Sequence, residues 1–283
     1  PAVRAIGAER SISDPIRFGE LGVAAFAVLL LVGPTSGLSS KLLLDQPAVF
    51  MRVSSSRSLD VAEFVAEHHP GRQLHKLRCL SISHRNAPAE VRQRYALTLD
   101  ERNRLYERVL ATRDRLVEQG KLGSGELVIL STCNRVELYV AATDSESRTH
   151  DASDLLAEAA LNHLSRIKDL EPDALERIDT IHGPSAVHHL LEVTTGLQSV
   201  VIGETQILQQ VKAAYGQAHE AQAVGPVLYA FFHAAFRAGR RAHAETQIDA
   251  GNVSAASAGV EVAKRALGGS LAGRCAVLVG AGK

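Results

Sequence analysis

Tryptophan is absent, methionine occurs once, and only three cysteines are spread over 283 residues. The missing tryptophan says little about function. Cys79, Cys133 and Cys275 are too few and too scattered for a disulfide framework or a CxxC metal site. They fit a reducing compartment, in which any one of them can be a working thiol. Twelve histidines are present, yet none falls in an HxH or HExxH spacing, so the usual frames of a metal hydrolase are missing. Excess charge is missing too, because 31 basic side chains balance 31 acidic ones. That balance excludes a wholesale polyanion binder of the histone type, although a local basic face can still meet RNA. No tandem repeat or low-complexity tract interrupts the chain. No apolar run reaches the roughly 20 residues that span a bilayer. Leu21–Val32 comes nearest; with Arg4, Arg10 and Arg17 before it, it reads as a targeting segment or as sequence upstream of a start at Met51.

What is present is ordinary for a globular protein: 46% hydrophobic residues, in a length that supports one or two cores. From Leu77 the pattern becomes regular. Leu77–Ser83 alternates like a strand, and Pro88 opens a short helix through Arg94. Thr98–Gln119 carries Leu99, Leu105, Val109, Leu110, Leu116 and Val117 at helical spacing, and Gly120 stops it. Glu126–Ser131 and Glu137–Ala142 read as strands around a polar turn, Asp151–Arg166 as a helix, and Ile178–Ile181 as a short strand. The order implies a layered α/β or α+β domain. The expected divisions are an extension over 1–74, a catalytic domain over 75–226, a helical connector over 227–272, and the start of a further domain over 273–283.

Three segments carry chemistry. The first is Ser131-Thr132-Cys133-Asn134-Arg135, a turn between two strands. A thiol there is exposed beside unpaired backbone N–H groups, and Arg135 can stabilise a thiolate or hold a substrate carboxylate by a bidentate pair. Cys79 and Cys275, by contrast, sit in apolar strand-like runs and read as core. The second runs from His188-His189 to Gly203-Glu204-Thr205-Gln206. The two histidines face different directions, so at most one reaches a site as acid or base. Glu204 and Gln206 open a helix whose apolar face is Ile207, Leu208, Val211 and Tyr215; polar groups there suit a small polar ligand or plain capping. The third is Val277-Leu278-Val279-Gly280-Ala281-Gly282-Lys283, a strand running into G-x-G, which is the opening half of a Rossmann dinucleotide site.

Together and in this order, the segments resemble the glutamyl-tRNA reductases. The resemblance starts at Leu80–Pro88 (LSISHRNAP) with Val91-Arg92-Gln93-Arg94. It continues through Leu130–Tyr139 (LSTCNRVELY), His189–Ser199, Gly203–Leu208 (GETQIL) with Gln210-Val211-Lys212, and Glu245–Ile248. It implies an α/β catalytic domain, of alternating strands and helices, followed by helices leading into a truncated Rossmann domain. The activity it implies is NADPH-dependent reduction of glutamyl-tRNA(Glu) to glutamate-1-semialdehyde, the entry to tetrapyrrole synthesis. Cys133 would attack the ester as a thiolate and form a thioester, a better hydride acceptor than the ester. His189, rather than His188, matches the family's functionally important histidine. Thr132, Asn134, Arg135, Ser199, Glu204, Thr205, Gln206 and Gln210 match its substrate-binding positions. Arg135 is the candidate carboxylate clamp, and Glu204 suits the free α-amino group. Gly280 and Gly282 would begin the NADPH site, and no metal is implied. His84 matches as well and reads as a structural turn residue. A homodimer, glutamate-1-semialdehyde aminomutase as partner, no membrane, and a cytoplasmic or plastid-stromal location are further implications. Two positions depart from the pattern: Thr205 stands where Pro or Gly is common, and Glu192 where many members carry Arg. The chain as given is expected to perform only the acyl-transfer half-reaction. The competing readings are a generic Rossmann dehydrogenase and a non-catalytic aminoacyl-tRNA-binding module.

Overall fold

The computed structural model describes residues 28–32, 76–144, 151–248 and 255–279. Two compact units are present: Leu38–Val262, and a smaller one joining Pro1–Gly37 to Ala263–Lys283. In the smaller unit, β1 (Val28–Val32) pairs antiparallel with β6 (Cys275–Val279). The expected strand Cys275–Val279 is therefore present, but among the described residues there is no βαβ unit. Gly280 and Gly282 lie outside those residues, as does the rest of the 1–74 extension apart from Val28–Val32.

The larger unit is built on a four-stranded sheet in the order β3-β4-β2-β5. Its strands are β2 (Leu77–Ser83), β3 (Leu122–Ser131), β4 (Arg135–Asp144) and β5 (Asp179–His182). Every pairing in it is antiparallel, so within the expected α/β class this is the α+β form. Its helices are α1 (Ala89–Gln93), α2 (Leu99–Glu118), α3 (Ala152–Lys168), α4 (Pro172–Leu175), α5 (Gly183–Thr194), α6 (Gln206–Glu220) and α7 (Pro226–Glu245). A further helix, α8, spans Ala255–Ala266. No helix among the described residues is long and apolar enough to cross a membrane.

Both faces of the sheet are covered, so β2 is buried along its whole length. Side chains alternate between the faces. Leu80, Ile82, Val136, Leu138 and Val140 share the face on which Arg78 reaches Asp151 and Asp154 of α3. Cys79, Ser81, Glu137 and Tyr139 share the other, under α5 and α7. One face is thus an apolar core, and the other carries polar groups into the interior. Tyr139 meets Phe232 of α7 edge-on at 5.4 Å between ring centroids.

The helix ends follow from local chemistry. Thr98 and Glu101 form a reciprocal capping box at the start of α2. Asp151 accepts from Ser153 N at the start of α3. Helix α7 begins differently, since the N–H groups of Val227 and Leu228 in its first turn donate to the buried Glu126 carboxylate of β3 at 3.0 and 2.6 Å. A Cβ on Gly225 would lie 2.6 Å from Glu126 Oε1, so the glycine makes room for this cap. Strand β3 starts four positions before the expected Glu126. Gly123 and Gly125 are weak strand formers, but a Cβ on Gly123 would come within 2.8 Å of Asp144 O, a closeness of pairing that only glycine permits.

Candidate functional site

The turn between β3 and β4 comprises Thr132, Cys133 and Asn134. It is pinned on both sides. Thr132 Oγ1 accepts from the N–H groups of Asn134 and Arg135, both at 3.2 Å, and Thr132 N donates to Arg135 O at 2.8 Å. His84 N donates to Asn134 O at 2.9 Å. Cys133 is left exposed at the tip, whereas Cys79 is fully buried as expected.

The thiol is not the ready thiolate that an electropositive turn suggests. Crowding of the sulfur by the surrounding chain pushes its pKa up, Glu204 adds to that push, and Arg92 and Arg135 oppose it less strongly. Glu204 is itself half-buried, and that desolvation raises its pKa against the pull of Arg135.

Behind the tip lies a group that the motifs contain but that sequence reasoning left without a role. Glu137 is fully buried, and four side chains surround its carboxyl group. Its Oε1 accepts from Arg135 Nη1 at 2.8 Å and Ser81 Oγ at 3.2 Å, and faces His189 Nε2 at 2.8 Å. Its Oε2 accepts from Tyr139 Oη at 2.6 Å. Burial pushes the carboxyl up, but Arg135, His189 and Tyr139 together overcome it and hold the pKa at about 2. The carboxylate can only accept, so His189 Nε2 is the donor of this bond. His188 is exposed and instead neighbours Glu192, so the two histidines do part as expected. The available signal was a lone acid in an otherwise apolar strand, two residues from Arg135, where a buried charge requires partners.

Cys79 Sγ, Glu137 and His189 offer three potential metal-ligand atoms within 4.8 Å of one another. Arg135 already sits on the same carboxylate oxygen, and burial raises the Cys79 thiol pKa, so the donor set disfavours a cation. It is a hydrogen-bonded ion-pair hub.

Arg135 is only 2% exposed. Besides Glu137, its guanidinium donates to Gln198 O, in the loop that links α5 to α6. The fork expected to clamp a substrate is thus already engaged by the protein in this structure. Gly196 and Gly203, at φ +82° and +81°, shape that loop, and Gly203 N donates to Gly196 O at 3.2 Å. Arg85 reaches Leu197 O, and Gln198 Nε2 donates to Glu192 at 2.7 Å. Ser199 is half-buried within the loop. Thr205 is exposed and makes no side-chain cap, and α6 begins at Gln206, two residues after Glu204. Gln210, one turn on, lines a groove with Ser131. Cys133, Arg135, Glu204 and the Gln198 carbonyl are thus gathered at one place, with His189 joined to it through Glu137.

The family described as Glutamyl-tRNAGlu reductase, N-terminal domain, matches residues 80–246. Among curated relatives, the glutamyl-tRNA reductase of Pelobacter propionicus is 38% identical over 204 residues, covering 72% of this chain and 43% of the relative. That of Rubrobacter xylanophilus is 39% identical over 206 residues, covering 71% and 43%. The solved glutamyl-tRNA reductase from Methanopyrus kandleri is similar at 30% identity and a TM-score of 0.46, over 68% of this chain and 40% of that one. The chain spans less than half the length of these relatives. Its matched segment includes the Cys133 turn, the Glu137 hub and the Glu204 loop, and the chain belongs to the glutamyl-tRNA reductase N-terminal domain family.

Proposed function

We propose that the described residues carry the acyl-transfer half of glutamyl-tRNA reduction, with Cys133 as nucleophile. The observation that supports this most is an exposed thiol on a pinned turn, beside a half-buried carboxylate and backed by a charged buried network. Cys133 Sγ attacks the acyl carbon of glutamyl-tRNA, the ester C–O bond breaks, and the thiol proton ends on the released ribose oxygen. The raised thiol pKa makes this step depend on the substrate. Glu204 binds the substrate's α-ammonium group, its charge is compensated, and the thiol pKa falls as the acyl carbon arrives. Thr132 and Asn134 fix the turn, while Ser199, Thr205, Gln206 and Gln210 border the approach. Arg135 holds the turn and the Gln198 carbonyl in register; contact with a substrate carboxylate would replace that carbonyl. His189 is held in place by its Nε2 bond to Glu137.

When bound, NADPH would supply the hydride that reduces the thioester to the aldehyde. The described residues do not form its cradle, since β6 pairs antiparallel with β1 and no βαβ unit is present among them. Gly280 and Gly282 are proposed to begin the site on motif alone.

The test is to mix the chain with tRNA carrying labelled glutamate. Label that becomes protein-bound and is released by hydroxylamine, and is absent in Cys133→Ala, supports the reading. Retention of the charged tRNA, unchanged in Cys133→Ala and without label transfer, would instead favour a non-catalytic binding module.

A further inference from the structure

A groove lies between α2 and α6, and of its lining the function proposed above uses Gln210 alone. Its volume is about 490 Å³, within the ordinary range for small-ligand pockets. Leu99, Arg102, Ser131, Gln210, Gly216 and Glu220 lie along it. Ser131 is two residues from Cys133, and Gln210 is one helical turn after Gln206, so part of the groove's lining lies on the segments that lead to the Cys133 turn and to the Glu204 loop. We propose that this groove seats the terminal nucleoside of the acyl donor, the 3′-adenosine of an aminoacyl-tRNA. The inference rests on the ester reading above.

Position argues first. On one side of Cys133, Glu204, Arg135 and the Gln198 carbonyl surround the thiol, and these suit the acyl group. The ester oxygen belongs to the leaving ribose, which must also lie within bonding reach of the sulfur, and the groove offers it space. Charge argues second. One cation and one anion, Arg102 and Glu220, with the carboxamide of Gln210, suit a neutral ligand rich in donors and acceptors rather than a phosphate. Arg102 Nε is enclosed and has no hydrogen-bond partner among the described residues, so it is a donor awaiting an acceptor. The walls between these groups, Leu99, Leu130, Ala213 and Ala214, are apolar, and Leu99 is 57% exposed.

Gly216 supplies independent support. Glycine inside a helix weakens it, and here no neighbour requires one, since a Cβ at this position would meet nothing within 4 Å. What the missing side chain does is keep the groove open. Gly216→Leu therefore fills the groove without pressing on the core.

The experiment titrates the whole chain with the trinucleotide CCA, and separately with NADPH, which also carries an adenosine. Isothermal calorimetry is the readout, with thermal melts of each variant as the check on folding. CCA binding that weakens at least about tenfold in Gly216→Leu and in Arg102→Gln, with unchanged melts, is expected. Absence of CCA binding, or binding indifferent to Gly216→Leu, would overturn the proposal. So would NADPH binding that Gly216→Leu abolishes, because the groove would then belong to the cofactor. CCA binding that depends on the groove, in a chain that glutamyl-tRNA does not acylate, would keep this seat and sink the thioester reading alone.

Discussion

Removing the charge of Glu137 probes the hub from which Arg135 and His189 are held. In Glu137→Gln the carboxamide is nearly isosteric, so packing is conserved while Arg135, 2% exposed, loses its counter-charge. Breaking one side of a buried pair costs about 3–5 kcal/mol, because the remaining cation is left uncompensated. The other donors raise the cost further: Ser81 and His189 face the same oxygen, and Tyr139 the second. A domain has roughly 5–15 kcal/mol in total, so the variant should be close to the limit of folding. The assay is urea unfolding of Glu137→Gln, Arg135→Gln and the double variant, each compared with wild type at pH 7. The two single losses should exceed the double loss when summed, by about 2 kcal/mol or more, because the double variant leaves no unpaired charge. If Glu137→Gln loses less than about 1 kcal/mol, or if the losses simply add, the carboxylate does not organise the site and the reasoning fails.

The same carboxyl predicts acid behaviour. Its folded pKa of about 2 lies below the roughly 4.3 of an unfolded glutamate, so its contribution is complete above pH 4–5 and disappears as pH falls through 2. That amounts to about 3 kcal/mol, and Tyr139→Phe should shrink it measurably in acid titrations of stability. Glu204→Gln removes the charge that raises the Cys133 thiol, so iodoacetamide should alkylate Cys133 severalfold faster at pH 7 while glutamyl-tRNA use falls; slower alkylation would contradict the assigned electrostatics. Gly225→Ala should cost about 1–2 kcal/mol in unfolding experiments by displacing Glu126 from the start of α7.

Much of the fold can be read from local pattern. The strand Leu77–Ser83 and the helix that follows Thr98 are legible from alternation and helical spacing alone. The edges that were misplaced depend on partners distant in the chain: Leu122–Gly125 is a strand because Thr143 and Asp144 pair with it. The site divides in the same way. Cys133 and the separation of His188 from His189 are legible as position in a turn and as angle around a helix. The engagement of Arg135 and the effect of Glu204 on the thiol are not, because both arise only when the 196–204 loop folds back onto the β3–β4 turn. Glu137 is visible as an acid in an apolar strand, but its four partners come from its own strand, from β2 and from α5.

Cys133 as the acyl acceptor is the claim on which the rest depends, and intact-protein mass spectrometry tests it most directly. Wild type, Cys133→Ser and Cys79→Ser would each be mixed with glutamyl-tRNA, quenched in acid and weighed. A glutamyl mass increment on wild type and Cys79→Ser, but not on Cys133→Ser, is the predicted result. An increment that survives in Cys133→Ser and vanishes in Cys79→Ser would place the nucleophile in the buried hub and contradict the account.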